Sequence, residues 1–338
     1  MDQALSLSRA LSRAPGLSSF RSRRNCLALA ALAALAGFSA QARAQEFRAP
    51  IRLIVPYGAG GSTDVMARAV APTLARELGQ PVIVENKPGA NGQIGSQYVK
   101  TAPPDGTVFL FTLDHSVVIV PLVTPNVPYG VADFLPVGKA GRFQWVFATP
   151  LSGAASSLPE FIELARRDPA YRNFGVAVVG GPPQVMGDAI ARKAGVEMTV
   201  LPFAGAAPLM PLVMGGQIAA GVVGVAEGIS MQKGGRVRLL GISGKRRYAS
   251  LPDVPTFAEL DMPGVQLGTL YSVFAPLQLP LAMAQRFNRA LRLAVEDPKL
   301  VERAHDMSIE LESSASLEDA AKEIREISAF WEKALKPR

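Results

Sequence analysis

Ile51-Arg52-Leu53-Ile54-Val55-Pro56-Tyr57-Gly58-Ala59-Gly60-Gly61-Ser62-Thr63-Asp64 is the stretch that decides the fold. Ile51 to Val55 is an apolar, β-branched run stopped by Pro56, the pattern of a short buried strand. Gly58, Gly60 and Gly61 let the chain turn tightly and bring backbone N–H groups close to a ligand. Ser62, Thr63 and Asp64 are N-cap residue types, and Val65, Ala69, Leu74 and Leu78 beyond them share a helical face. A strand, a glycine turn and a helix N-terminus make an anion site, because free N–H donors and the positive end of the helix dipole converge there. The loop lacks the Gly-Lys-Ser/Thr ending of a phosphate-binding loop, and Thr63 stands where a dinucleotide fingerprint has its third glycine. It reads either as a holder of a carboxylate or phosphate or as an ordinary βα turn.

Strand-like and helix-like segments alternate along the rest of the chain. Pro81-Val82-Ile83-Val84 reads as a strand, followed by a second glycine loop, Asn86-Lys87-Pro88-Gly89-Ala90-Asn91-Gly92, and a helix over 93–102. Pro103-Pro104-Asp105-Gly106 is a turn before a strand over 107–113. A third loop, Gly180-Gly181-Pro182-Pro183, separates a strand over 174–179 from a helix over 184–194. Further strands are expected over 199–202, 218–225, 237–242 and 271–275, and helices over 158–167, 207–214, 281–296 and 317–336. This order predicts an α/β fold with a mainly parallel sheet flanked by helices, whose ligand sites lie at the carboxyl ends of the strands.

The N-terminus reads as an export signal. An Ala/Leu run from Cys26 to Phe38 follows a Ser- and Arg-rich start and precedes Ala42-Arg43-Ala44, a small-x-small cleavage site. The run is too short to span a bilayer. Ser22-Arg23-Arg24-Asn25-Cys26-Leu27 fits either a twin-arginine signal or the basic start of a general-secretion signal. Six of the 35 basic residues and one of the 28 acidic residues fall within 1–44, leaving 29 against 27. The high isoelectric point is thus a property of the leader, and nucleic-acid binding loses its support. The single cysteine also lies in the leader, so the remaining chain can form no disulfide or thiolate metal site. No later apolar run reaches membrane-spanning length. A soluble exported protein is expected.

Catalytic patterns are missing. The two histidines are His115 and His305, and the contiguous Asp114-His115-Ser116 cannot stack as nucleophile, base and orienter. There is no Gly-x-Ser-x-Gly elbow and no His-Glu-x-x-His cluster. No enzyme activity, cofactor or metal is expected.

Several segments together carry a family resemblance. They are Ile51 to Pro56, the Gly-Gly-Ser-Thr-Asp turn, Gly79-Gln80-Pro81-Val82-Ile83-Val84-Glu85-Asn86-Lys87-Pro88-Gly89-Ala90, Pro103-Pro104-Asp105-Gly106-Thr107, Gly215-Gly216-Gln217 and Leu251-Pro252-Asp253-Val254-Pro255-Thr256. In this order the chain resembles the Bug proteins, receptors of tripartite tricarboxylate transporters. The resemblance implies a two-lobed periplasmic binding protein (type II-like), each lobe a mainly parallel sheet flanked by helices, with a ligand cleft between the lobes. It places 1–44 as signal peptide, 45–142 plus 270–338 as one lobe and 143–269 as the other, with crossings near Gly141–Trp145 and Leu267–Tyr271. The implied ligand is a small organic acid or amino acid, passed by a monomer to a membrane transporter or a sensor. An exported enzyme acting on a small carboxylate, or a binding-deficient sensory relative, are the alternatives.

The resemblance also implies ligand contacts at Tyr57, Gly58, Ala59, Gly60, Gly61, Ser62, Thr63 and Asp64, and at Gly89, Ala90, Asn91 and Gly92. On the second lobe the corresponding loop holds Gly180, Gly181 and Gln184, without the hydroxyl usual there. Val223 and Gly224 replace an Asp-Asn pair, with Glu227 downstream. Asp114 and His115 replace small polar residues. If Asp114 faces the cleft it opposes a second ligand carboxylate; otherwise Asp114 and His115 satisfy backbone groups outside the cleft.

Overall fold

In the computed structural model, residues 46–176, 181–203, 206–262, 265, 268–306 and 308–335 are described. The export-signal reading therefore falls outside the described residues, and Phe47–Arg338 form one compact unit. The chain runs β1 Ile51–Val55, α1 Ser62–Leu78, β2 Val82–Asn86, α2 Gln93–Lys100 and β3 Val108–Leu113. A π-turn, His115–Ile119, leads into the short α3 Val120–Val123, then β4 Phe134–Phe143 and β5 Trp145–Pro150. Next come α4 Leu158–Arg167, β6 Asn173–Val176, α5 Pro182–Ala194, β7 Thr199–Pro202, α6 Ala206–Met214, β8 Gly221–Gly224, α7 Val225–Lys233 and β9 Val237–Ile242. β10 Thr269–Pro276, α8 Leu281–Val295, α9 Pro298–Asp306 and α10 Leu317–Ala334 complete it.

Two five-stranded sheets result, ordered β2-β1-β3-β10-β4 and β7-β6-β8-β5-β9. β1 pairs in parallel with β2 and β3, and β6 with β7 and β8, as the alternating pattern predicts. The other pairings, β10 with β3 and β4, and β5 with β8 and β9, are antiparallel, so each sheet is mixed. The departure arises from β4 and β5, which sequence periodicity does not reveal. Pro136, Gly138 and Gly141 interrupt the strand pattern of β4. They are tolerated because β10 pairs with β4 through two register shifts. The two glycines leave room for neighbours: a Cβ at Gly138 would meet Asn288 at 3.0 Å, and one at Gly141 would meet the Glu310 carbonyl at 2.9 Å.

α1 shows how a helix seats on its sheet. Met66, Ala67, Val70, Leu74 and Leu78 are buried at helical spacing, while Val65 and Ala69 are half-buried, so the core face is turned slightly from the expected one. Gly79 ends the helix at φ +72°, a conformation costly for any residue with a Cβ. Phe109 of β3 stacks on Phe287 of α8, ring centroids 4.0 Å apart. The other face of the first sheet is covered by α2, the π-turn and α10, with Val99, Val118, Ile327 and Trp331 in one apolar cluster.

The chain passes between the sheets at Gln144 and again between β9 and β10. The passages are tied together. Trp145 donates its backbone N–H to Ser243 Oγ (2.9 Å) and its indole N–H to Thr269 Oγ1 (2.9 Å). Phe143 packs on both Trp145 and Tyr271, with ring centroids 5.1 and 5.4 Å away.

Candidate functional site

The loops after β1, β2 and β3 leave the first sheet at the same carboxyl edge, since these three strands are parallel. Gly58, Ala59, Gly60, Gly61 and Ser62 are exposed there, while Thr63 and Asp64 are buried. Gly61, not Ser62, is the N-cap of α1, and no side chain caps it. Ser62, Thr63 and Asp64 are therefore the first three helical residues, whose N–H groups have no partner inside the helix. A Cβ at Gly58 or Gly60 would meet nothing within 4 Å, so the loop faces open space. Gly60 is required by its φ of +82°, not by crowding.

Asp64 holds this loop from behind. One carboxylate oxygen accepts the Gly60 N–H (2.9 Å) and the Arg68 Nε–H (3.0 Å), and the other accepts from Asn86 Nδ2 (2.9 Å). Asn86 also donates to the Tyr57 carbonyl (3.1 Å) and accepts from Arg68 (3.0 Å). Burial pushes the Asp64 carboxyl up, but bonds from Arg68, Gly60 and Asn86 outweigh it and hold it below its ordinary value. Asp64 is thus tied into the loop's own network. The Tyr57 hydroxyl is buried without a well-formed hydrogen bond, beside the Thr112–Ser116 hydroxyl pair, and burial pushes it up to about 12.

The second loop takes an unusual backbone path: Gly89, Ala90, Asn91 and Gly92 all have positive φ, at 130°, 47°, 54° and 91°. Left-handed Ala and Asn are strained conformations that the surroundings must impose. A Cβ at Gly92 would lie 2.9 Å from Ser116 Cβ, and one at Gly95 would lie 2.9 Å from Pro56 Cα. The second loop is thereby pressed against the first. Ala90 and Asn91 are exposed and Gly92 buried.

Asp114 and His115 are interior residues, 4% and 7% exposed. Asp114 Oδ1 accepts the Leu270 N–H of β10 at 3.2 Å. Burial pushes its carboxyl up to about 7, against the Leu270 N–H and the Arg142 charge. Burial pulls His115 down to about 4, and its Nδ1 has no hydrogen-bond partner. On the second sheet's side, Gly181 is the buried N-cap of α5, Gln184 is half-buried in the first turn, and Gly180 lies outside the described residues. Val223 is buried, and the exposed Glu227 folds back so closely that a Cβ on Gly224 would lie 2.4 Å from its Oε2.

Tyr271 was missing from the sequence-based site. It lies on β10 where the chain re-enters the first sheet, is 1% exposed, and its hydroxyl neighbours Ser62 while feeling the Glu227 charge. Burial raises its pKa. It links the first glycine loop, the crossover and the residues after β8. Only its place in the expected crossing, 267–271, could have marked it. Among the described residues no three His, Cys, Asp or Glu are grouped to hold a metal ion.

Residues 66–337 match the family model described as "Tripartite tricarboxylate transporter family receptor". The chain belongs to this family. BugT of Bordetella pertussis is 31% identical over 272 residues, spanning 80% of this chain and 83% of BugT. A solved structure described as a periplasmic transporter is 29% identical, with a TM-score of 0.74 over 85% of this chain and 96% of that one. An R. palustris protein solved with adipate is 26% identical, with a TM-score of 0.74 over 84% of this chain and 95% of its own. The family resemblance, the two-lobed binding-protein fold and the solute-binding role are thereby established for this receptor. Its family consists of periplasmic binding proteins, not enzymes, and no described helix is long and apolar enough to cross a membrane.

Proposed function

We propose that this receptor captures one small carboxylate-bearing ligand between its lobes and presents it, as a monomer, to a tripartite transporter or a sensor. The observation that carries the reading is the open Gly58–Ser62 loop. Its backbone is braced by Asp64, Arg68 and Asn86, and the unpaired N–H groups of Ser62, Thr63 and Asp64 lie at its end. Such a site supplies hydrogen-bond donors and a dipole, which bind a carboxylate without breaking a bond. Adipate in the R. palustris relative supports an organic acid as ligand.

The lobes are assigned to 45–142 plus 270–338 and to 143–269, with contacts from Tyr57 to Asp64, Gly89 to Asn91, Ser62 with Tyr271, and Gly181, Gln184 and Glu227 opposite. The export signal is assigned to 1–44. Replacing Arg23 and Arg24 by Lys stops export by the twin-arginine route and leaves the general route working. Calorimetry with adipate, malate, citrate, aromatic acids and amino acids tests the ligand class. One acid is expected to bind with micromolar or tighter affinity, and Ser62→Ala to weaken it by about 1–3 kcal/mol. No heat from any acid, or an affinity indifferent to Ser62→Ala and Gly60→Val together, overturns the site. Turnover of the bound acid would make the protein an enzyme instead.

A further inference from the structure

The two sheets offer a ligand unequal helix ends. β6, β7 and β8 run parallel, so α5, α6 and α7 all begin at one carboxyl edge of the second sheet, as α1 does on the first. Two contacts bring that edge up to the first sheet's side. Val185, in the first turn of α5, packs against the apolar cluster of Val118 and Leu270, whose buried members all belong to the first sheet and its helices. Glu227 stands in the first turn of α7, and its charge reaches the Tyr271 hydroxyl that neighbours Ser62.

α5 begins Gly181-Pro182-Pro183-Gln184, with Gly181 as N-cap. Proline has no N–H, so the first two helical positions, where a helix keeps its free donors, have none to give. The Gln184 and Val185 N–H groups both go to the Gly181 carbonyl, at 3.0 and 3.2 Å. The Gln184 side chain is a neutral amide, and the residue already has a partner. At α7 the Val225 N–H is taken by the Gln144 carbonyl (2.9 Å), and the Glu227 carboxylate lies against the N-cap Gly224. Pro208 takes a further donor out of the first turn of α6. The rest of this edge is apolar: Pro182, Pro183 and Val225 are buried, and Val185 and Phe203 are half-buried. α1, by contrast, leaves the N–H groups of Ser62, Thr63 and Asp64 open.

We propose that the receptor selects a monocarboxylate with an apolar body, and that Pro182, Pro183 and Glu227 exclude a second carboxylate. This rests on the carboxylate site proposed above at the Gly58–Ser62 loop. The ligand's carboxylate meets the open donors of α1, and its far end meets prolines, apolar side chains and one negative charge. A second carboxylate at that end gives up its water for too few donors and faces Glu227, whereas a methyl group or ring edge gains apolar contact.

Calorimetry with two matched pairs tests this: hexanoate against adipate, and benzoate against terephthalate, the members of each pair differing in the second carboxylate. In at least one pair the monocarboxylate is expected to bind about ten-fold or more tightly, a preference of roughly 1.4 kcal/mol. Pro182→Ala/Pro183→Ala/Glu227→Gln returns two N–H groups and removes the charge, and should cut that preference about ten-fold or reverse it. Glu227→Gln alone changes an exposed residue, so it should fold normally and narrow the preference about three-fold, the scale of one screened charge interaction. Ser62→Ala should weaken both members of a pair alike. A dicarboxylate that binds at least as tightly as its monocarboxylate partner, and is weakened by Ser62→Ala, overturns this inference and leaves the carboxylate site standing. A preference unchanged in the triple variant and in Glu227→Gln also overturns it, and no binding by any of the four acids overturns both readings.

Discussion

Asp64 and Asp114 are both carboxylates 3–4% exposed, yet their surroundings drive them in opposite directions. Asp64 has a guanidinium, a backbone N–H and an amide to accept from, so it stays ionised. For Asp114 burial outweighs the backbone N–H groups of Leu270, at 3.2 Å, and His115 and the Arg142 charge, and carries it up to about 7. A carboxyl raised from 3.8 contributes stability that is complete below the unfolded value and is lost as pH rises through 7. His115, lowered from 6.5 to about 4, contributes stability that is complete above 6.5 and is lost as pH falls through 4. Between pH 4 and 6.5 the two slopes oppose each other. Asp114→Asn keeps an acceptor for the Leu270 N–H and removes the first slope. Thermal melts are expected to show the variant more stable than wild type at pH 8, and losing stability more steeply between pH 6.5 and 4. Parallel pH profiles for the two proteins would show that Asp114 ionises normally in the folded chain.

Elements meet at the glycine loops through backbone contact. α2 begins against Pro56, and Gly95 is the residue that allows it, because a Cβ there would lie 2.7 Å from Pro56 Cβ, 2.9 Å from Pro56 Cα and 3.0 Å from the Lys87 carbonyl. Backbone atoms cannot swing aside as a side-chain tip can. Gly95→Ala therefore pushes the two loops apart, with an overpacking cost of about 1–3 kcal/mol. Ligand affinity should drop well beyond the stability loss, measured by calorimetry at a temperature where the variant is fully folded. Gly130→Ala is the control, because Gly130 lies outside the glycine loops and its Cβ would meet nothing within 4 Å. Equal affinities in wild type and Gly95→Ala would mean that the loop spacing does not matter for binding.

Across the whole molecule, closing two lobes requires movement where the chain passes between the sheets. Trp145 stands there, bonded to Ser243 and Thr269, and the other tryptophan, Trp331, is buried against the far face of the first sheet. A ligand that prefers one lobe arrangement shifts the population toward it. In Trp331→Phe the fluorescence of Trp145 is expected to change on adding the bound acid, while Trp145→Phe should show little change. A silent Trp145 at saturating ligand would place the hinge elsewhere. The same ligand at one hundred times its dissociation constant should stabilise the fold by about 2.7 kcal/mol, visible as a raised melting temperature.

Local pattern alone carried the first loop and most of the elements around it. Ile51–Val55 is apolar and ends in Pro56, and three glycines precede a helical run, so strand, turn and helix follow from short-range sterics and burial. β4 was illegible because Pro136, Gly138 and Gly141 suit a strand only once β10, α8 and the Glu310 segment surround them. Tyr271 was legible as a strand residue but not as a neighbour of Ser62, because 209 positions separate them and only sheet pairing brings them together. The side to which Asp114 turns was likewise undetermined. A carboxylate beside a loop can face solvent or backbone, and the choice fell to the Leu270 N–H, supplied by a strand 156 residues away. Sequence specifies what each segment can form by itself; which polar groups are left open to a ligand depends on long-range partners that only the folded chain provides.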